Sequence, residues 1–216
     1  MGEVICMKGY FITIEGTDGA GKTTQISLLE EYLKQRKIDF LLTREPGGTP
    51  ISEKIREILL DISNQELCDN AEVLLYAASR AQHLQQKILP AVKEGKLVLC
   101  DRFVDSSIAY QAFGRGIDKE QVKAINQFAT SGIEPDLTIY LDLPPQKGIL
   151  RKQKEQLHEM DRMEQEKMDF HEKVYEGFQS LAQNYPQRIQ KIDASKTIEE
   201  VQKQIQIQIE KLLERN

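Results

Sequence analysis

The most specific chemistry in the chain sits near its start, where the eight residues Gly16, Thr17, Asp18, Gly19, Ala20, Gly21, Lys22 and Thr23 fit the pattern G-x-x-x-x-G-K-[S/T] without deviation. Each type has a reason. Glycines let successive backbone N–H groups converge on a phosphate. The helix that follows, predicted from Thr23, adds partial positive charge at its amino end. Lys22 can bridge β- and γ-phosphate oxygens, and the Thr23 hydroxyl can ligate Mg²⁺. Thr24 is counted with this nucleotide-binding loop. Asp18 is out of character there, because a carboxylate within an anion cradle repels the ligand. It reads either as an acceptor for a sugar hydroxyl on a neighbouring substrate or as a surface turn residue.

A second group of residues could handle another phosphate and a base. Asp101-Arg102 follows an apolar run, Leu97–Cys100. Asp101 can hold Mg²⁺ directly or through water, and Arg102 can face a second phosphate. The competing reading is a surface ion pair. Arg44 opens the segment Arg-Glu-Pro-Gly-Gly-Thr after another strand-like run and is placed like Arg102. Tyr76 and Arg80 share one helix face, so a ring and a donor one turn apart could stack a base and bond its carbonyl edge. The spacing by itself favours a core tyrosine beside a surface arginine. Arg151, Lys152 and Lys154, then Asp161-Arg162, read as a mobile basic lid or as a solvated helix face.

The elements that must position these groups alternate along the chain. Strands are predicted at Tyr10–Glu15, Asp39–Thr43, Leu97–Cys100, Leu137–Leu141 and Arg188–Ile192. Helices are predicted at Thr23–Arg36, Ile51–Leu60, Ala71–Lys93 (with a kink at Pro90), Ser106–Ala112, Lys119–Ser131 and Glu164–Tyr185. The last segment alternates at Ile205, Ile207 and Ile209. It also repeats at three and four through Ile198, Val201, Ile205, Ile209 and Leu212, starting from a capping box near Ser195/Thr197 and Glu199/Glu200, which favours helix. The expectation is an α/β fold with a five-stranded parallel sheet and helices on both faces. Ligands then sit at the carboxyl ends of the strands. No internal repeat or linker is visible, so residues 1–216 read as a single domain.

Lys+Arg 29 against Asp+Glu 34 gives 29 − 34 = −5, which argues against nucleic acid or an anionic membrane as partner. No apolar run approaches the roughly 20 residues of a membrane span. The amino end, Met1–Tyr10, holds one lysine and no apolar core of a secretory signal. Cys6, Cys68 and Cys100 are scattered and read as buried, inert thiols in a reducing cytoplasmic setting.

Taken together, these motifs resemble those of bacterial thymidylate kinases, within the nucleoside monophosphate kinase branch of P-loop proteins. The matching pieces are Gly16–Thr23, REPGGT at Arg44–Thr49, LLYAASR at Leu74–Arg80, Asp101-Arg102 with SSIAYQ at Ser106–Gln111, GRG at Gly114–Gly116, Pro135-Asp136-Leu137 before Tyr140-Leu141-Asp142, and DRMEQE at Asp161–Glu166. The resemblance implies a P-loop NTPase fold with a helical lid at about residues 145–163, and the reaction ATP + dTMP → ADP + dTDP with Mg²⁺ held by Thr23 and Asp101. It implies that Asp18 meets the sugar 3′-hydroxyl and that Arg44 and Arg102 hold the dTMP phosphate. Tyr76 would stack on thymine and Arg80 bond its carbonyl. Ser106, Tyr110 and Gln111 would complete the pocket, with Tyr110 disfavouring a 2′-hydroxyl. Lys22, Arg102 and Arg151 would be catalytic, and the backbone near Asp193–Ser195 would pass the adenine. A cytoplasmic homodimer is implied as well. Tyr76 departs from the phenylalanine common in the family, and the lid mixes Glu155, Glu159 and Asp161 with its basic residues.

Other readings have discriminating features. Another P-loop kinase would prefer a nucleoside or a different monophosphate. A GTP-driven switch would carry an NKxD signature, which is missing, and the lone DxxG match, Asp18–Gly21, lies within the phosphate loop itself. A helicase-type ATPase is disfavoured by charge and size.

Overall fold

A computed structural model describes residues 9–155 and 161–214. Cys6, Glu159 and the amino-terminal residues before Gly9 lie outside this range. Five strands, β1 (Tyr10–Glu15), β2 (Phe40–Arg44), β3 (Leu97–Asp101), β4 (Leu137–Asp142) and β5 (Ile189–Asp193), form one sheet in the order β2-β3-β1-β4-β5. Every pairing is parallel. β1 is central: the chain builds outward to β2 and β3 on one side, then crosses to β4 and β5 on the other. A ligand cleft is expected at the carboxyl ends beside such a strand. The register confirms the alignment there, with Arg44 and Ile14 both opposite Asp101, Glu15 opposite Tyr140, and Asp142 opposite Asp193.

Both faces of the sheet are covered, which is why the inner strands β1, β3 and β4 are buried almost throughout and largely apolar. Ile12, Ile14, Leu97, Leu99, Ile139 and Leu141 pack against Ile26, Leu29 and Leu33 of α1 (Lys22–Gln35) and Val201, Ile205 and Ile209 of α9 (Ile198–Leu213). Helix wins over strand at the carboxyl end because Thr197 and Glu200 form a reciprocal capping box and the apolar stripe meets this core. On the other face, Phe11, Val98 and Cys100 meet Leu84, Ile88 and Ala91.

Several boundaries differ from the sequence reading. The helix predicted at Ala71–Lys93 starts earlier, as α3 (Asp69–His83), and continues through a π-helical turn (Leu84–Ile88) into α4 (Leu89–Lys93). Pro90 lies in the first turn of α4, just after that π-helical turn. The next helix begins at α5 (Val104–Ser107) and runs on as a π-helical stretch (Ile108–Gly114) before α6 (Lys119–Thr130). α2 spans Pro50–Leu60, capped by the Thr49 hydroxyl accepting from Ser52 N–H. The charged stretch after β4 contains α7 (Pro145–Glu155). α8 (Met168–Asn184) starts later than Glu164, because Asp161 Oδ1 accepts the N–H groups of Met163 and Glu164 and holds those residues in a turn. Of the cysteines, Cys100 is buried as expected, but Cys68 is exposed. No described helix is long and apolar enough to cross a membrane.

Candidate functional site

One continuous cavity of about 1690 Å³ lies along the carboxyl edge of the sheet. Small-ligand pockets usually hold about 300–1,000 Å³, so this one has room for two nucleotides. The phosphate loop, residues 16–23, forms its floor between β1 and α1. Gly16, Gly19 and Gly21 all take positive φ there. A Cβ on Gly19 would lie 2.2 Å from the Gly148 carbonyl oxygen. Glycine at both positions therefore lets α7 lie directly on the loop. Lys22 Nζ donates to the carbonyls of Gly16 (3.1 Å) and Thr17 (3.0 Å). Burial, with the nearby Arg102 charge, lowers its pKa to about 8 against the opposing pull of Asp18 and Asp101.

Asp18 is not a surface turn residue. Its Oδ1 accepts from Arg102 Nη2 at 2.6 Å, and its Oδ2 accepts from the Tyr110 hydroxyl at 3.0 Å. Burial alone would raise its carboxyl, but the charges of Arg102, Lys22 and Lys152 outweigh that and hold it well below the usual range. The carboxylate thus stays ionised, with Lys22 Nζ 3.8 Å from its Oδ1. Arg102 pairs with Asp18 rather than with Asp101, lies 5.1 Å from the Tyr110 ring centroid, and donates through Nη1 to Gly16 O (3.0 Å) and Ser106 Oγ (3.1 Å).

Asp101 is the last residue of β3, and its Oδ1 is buried without a hydrogen-bond partner among the described residues. A buried, unmatched carboxylate oxygen is costly unless something else meets it. Asp101 and Thr23 line the same cavity. A P-loop cation takes one hydroxyl and one carboxylate, with phosphates and water completing the shell, so this donor pair fits a hard divalent ion. Arg44, the last residue of β2, is exposed; it donates to Pro46 O (2.9 Å) and Glu53 Oε2 (3.0 Å).

The helix pair is reversed from the bland expectation of a core tyrosine and a surface arginine. Arg80 is only 2 % exposed, whereas Tyr76 is half-buried and lines the cavity. Arg80 Nε donates to Glu45 Oε2 (2.7 Å), Nη1 to Ser107 Oγ (2.9 Å) and Asn126 Oδ1, and Nη2 to Phe103 O (2.9 Å). Glu45 Oε1 is also hydrogen-bonded to His83 Nδ1 at 3.0 Å. Gln111 is buried and donates to Glu72 Oε1 (3.0 Å).

Two residues, Glu72 and Arg56, escaped the sequence reading. Glu72, one turn before Tyr76, accepts from Arg115 and Arg162 as well as Gln111. This pins the segment after α7 onto α3, and nothing in a helix-face pattern marks Glu72 as buried. Arg56 lines the cavity and donates to Pro46 O (3.0 Å). In the lid, Arg151 turns to the Ala194 carbonyl (3.0 Å). Lys152, bonded to Glu164, is the lid charge that acts on both Asp18 and Lys22.

A family-wide sequence profile described as thymidylate kinase matches residues 14–205. The chain is 50% identical over 194 residues to a thymidylate kinase of Clostridium novyi (strain NT), covering 90% of this chain and 95% of that one. It is 52% identical over 195 residues to one from Geobacillus sp. (strain WCH70), covering 90% and 93%. The crystal structure of a thymidylate kinase from Ehrlichia chaffeensis superposes with a TM-score of 0.76 at 34% identity, covering 94% of this chain and 98% of that one. The profile match across residues 14–205, with about half of the residues shared along nine-tenths of the chain, shows that the chain belongs to the thymidylate kinase family.

Proposed function

We propose that this protein transfers the γ-phosphate of ATP to dTMP, giving ADP and dTDP. The observation that carries the reading is the division of one cavity: residues 17–24, Arg151, Ala194 and Lys196–Ile198 line one part, and Arg44, Tyr76, Arg80, Arg102, Ser106, Tyr110 and Gln111 line the other. Asp18 and Arg102 stand at the join.

Phosphoryl transfer needs little covalent help; positioning and charge neutralisation dominate. A dTMP phosphate oxygen attacks the γ-phosphorus in line. No general base is required, because a phosphomonoester is largely ionised at neutral pH. Arg44 and Arg102 hold that phosphate. Lys22 leaves the loop carbonyls for the β- and γ-oxygens, and Lys152 and Arg151 bring further charge as α7 closes. Mg²⁺, held by Thr23 and Asp101, would neutralise charge on the triphosphate. Tyr76 stacks on thymine, and the one Arg80 N–H left over from its internal bonds meets a base carbonyl. Gln111 completes the base pocket. Asp18 accepts from the 3′-hydroxyl, and Tyr110, fixed by Asp18, crowds the 2′ position.

We also read residues 1–216 as one domain with its lid at 145–163, acting in the cytoplasm as a homodimer without nucleic acid or membrane partners. Leu74 on α3 (56 % exposed) and Phe128 on α6 (90 % exposed) favour a covered apolar face. Light scattering should give twice the chain mass; a monomer at micromolar concentration would contradict it. A coupled ADP-release assay across dTMP, dUMP, UMP, dCMP, AMP and thymidine tests the activity. dTMP should be used best, and faster phosphorylation of thymidine would make the protein a nucleoside kinase instead.

A further inference from the structure

Glu15 closes β1, immediately before the phosphate loop, and has no part in the reaction just described. It is 1 % exposed. Both of its oxygens are spent on the turn after β3: Oε1 accepts from Phe103 N–H at 2.7 Å, and Oε2 lies 2.6 Å from Ser106 Oγ. That turn begins at Arg102, whose φ is +68°. The left-handed region is strained for a non-glycine residue. The other described non-glycine residues with positive φ are Lys37 and Ser131, which sit at helix carboxyl ends, where such a residue is common. Arg102 has no such excuse. It follows a strand, and its own N–H donates to Ile14 O (3.0 Å), one residue before Glu15.

The same contacts reach the guanidinium. Ser106 Oγ, tied to Glu15, accepts from Arg102 Nη1. One buried carboxyl thus fixes the backbone that aims the arginine and the hydroxyl that braces it. We infer that Glu15 is a positioning residue for Arg102, holding its left-handed turn through the Phe103 amide and the Ser106 hydroxyl so that the guanidinium faces the acceptor phosphate. The inference rests on the reading of Arg102 as a dTMP-phosphate ligand. Burial and the neighbouring Asp105 carboxylate favour the neutral form of Glu15. A neutral carboxyl still accepts from Phe103 N–H and meets the Ser106 hydroxyl through its other oxygen, and does not repel the substrate anion.

Steady-state kinetics on Glu15→Ala, Glu15→Asp, Glu15→Gln and Arg102→Ala, with thermal melts alongside, test this. Glu15→Ala should lower kcat/KM for dTMP roughly 10- to 100-fold, the range for lost positioning, while KM for ATP stays within about twofold. Glu15→Gln keeps an acceptor for Phe103 and a donor for Ser106, so it should recover to within about threefold of the parent. Glu15→Asp is one methylene too short to reach both; it should show the dTMP-specific loss even if the alanine variant fails to fold. Adding Glu15→Ala or Glu15→Asp to Arg102→Ala should cost little more than Arg102→Ala alone. Equal losses for ATP and dTMP, a glutamine variant as poor as aspartate, or additive double variants would overturn the inference. If Arg102→Ala leaves kcat/KM for dTMP intact, the phosphate-ligand reading falls and takes this one with it. A defective Arg102→Ala beside silent Glu15 variants removes the Glu15 link alone.

Discussion

Replacing Arg80 with methionine should nearly unfold the protein. Methionine approximates the aliphatic stem but offers no donor. It leaves the buried Glu45 carboxylate without its guanidinium partner, and strands Asn126 Oδ1, Ser107 Oγ and Phe103 O. Removing one member of a buried ion pair typically costs about 3–5 kcal/mol. Each stranded neutral acceptor adds on the order of 1 kcal/mol, less for Ser107, whose hydroxyl can rotate. The total, on the order of 5–7 kcal/mol, approaches the whole stability of an ordinary domain, about 5–15 kcal/mol. Urea denaturation followed by circular dichroism checks this. With a urea dependence of about 1–3 kcal/mol per molar, the midpoint should fall by roughly 2 M or more. Adding Glu45→Gln should restore part of the loss, because the stranded charge is gone. An Arg80→Met protein within about 1 kcal/mol of the parent would refute the claim that this network holds α3 to the loop after β2.

Lys22→Ala should lower kcat by roughly 10²–10³, by analogy with loss of one transition-state donor; near-parental turnover would remove Lys22 from the reaction. Tyr110→Ala should narrow the preference for dUMP over UMP, and an unchanged ratio would take Tyr110 out of sugar selection. Glu15→Gln should flatten the pH dependence of stability. The folded carboxyl titrates near 8, raised by burial and Asp105, against roughly 4.3 when unfolded, so between those values the folded state holds the extra proton. Stability of the parent protein should therefore fall as pH rises through this window, and the glutamine variant should lose that component. Equal slopes in thermal melts from pH 5 to 8.5 would contradict it.

Much of this architecture was legible in the residues because local and global signals agree. The five strand-like runs became the five strands: β1, β3 and β4, inside the sheet and covered on both faces, are nearly all apolar and buried, whereas the edge strands β2 and β5 are partly exposed. The phosphate loop was legible because its glycines answer to positive φ and close backbone approach. What stayed hidden depends on contacts distant in sequence. Glu72 reads as a solvated helix residue until Arg115 and Arg162 arrive from elsewhere in the chain. Arg80 reads as a surface cation until Glu45 and Asn126 enclose it. Glu15 looks like the polar end of a strand, and only the turn at Phe103 and Ser106 gives it work. The π-helical turns at Leu84–Ile88 and Ile108–Gly114 have no marker in a periodicity of three and four.

A crystal structure with dTMP and a non-hydrolysable ATP analogue bound together bears most directly on the central claim. The pyrimidine should stack on Tyr76, its phosphate should lie between Arg44 and Arg102 with the 3′-hydroxyl on Asp18, and the triphosphate should wrap residues 16–23 and draw Lys22 off the loop carbonyls. A pyrimidine nucleotide lodged away from Asp18, Tyr76, Arg80 and Arg102 would contradict it.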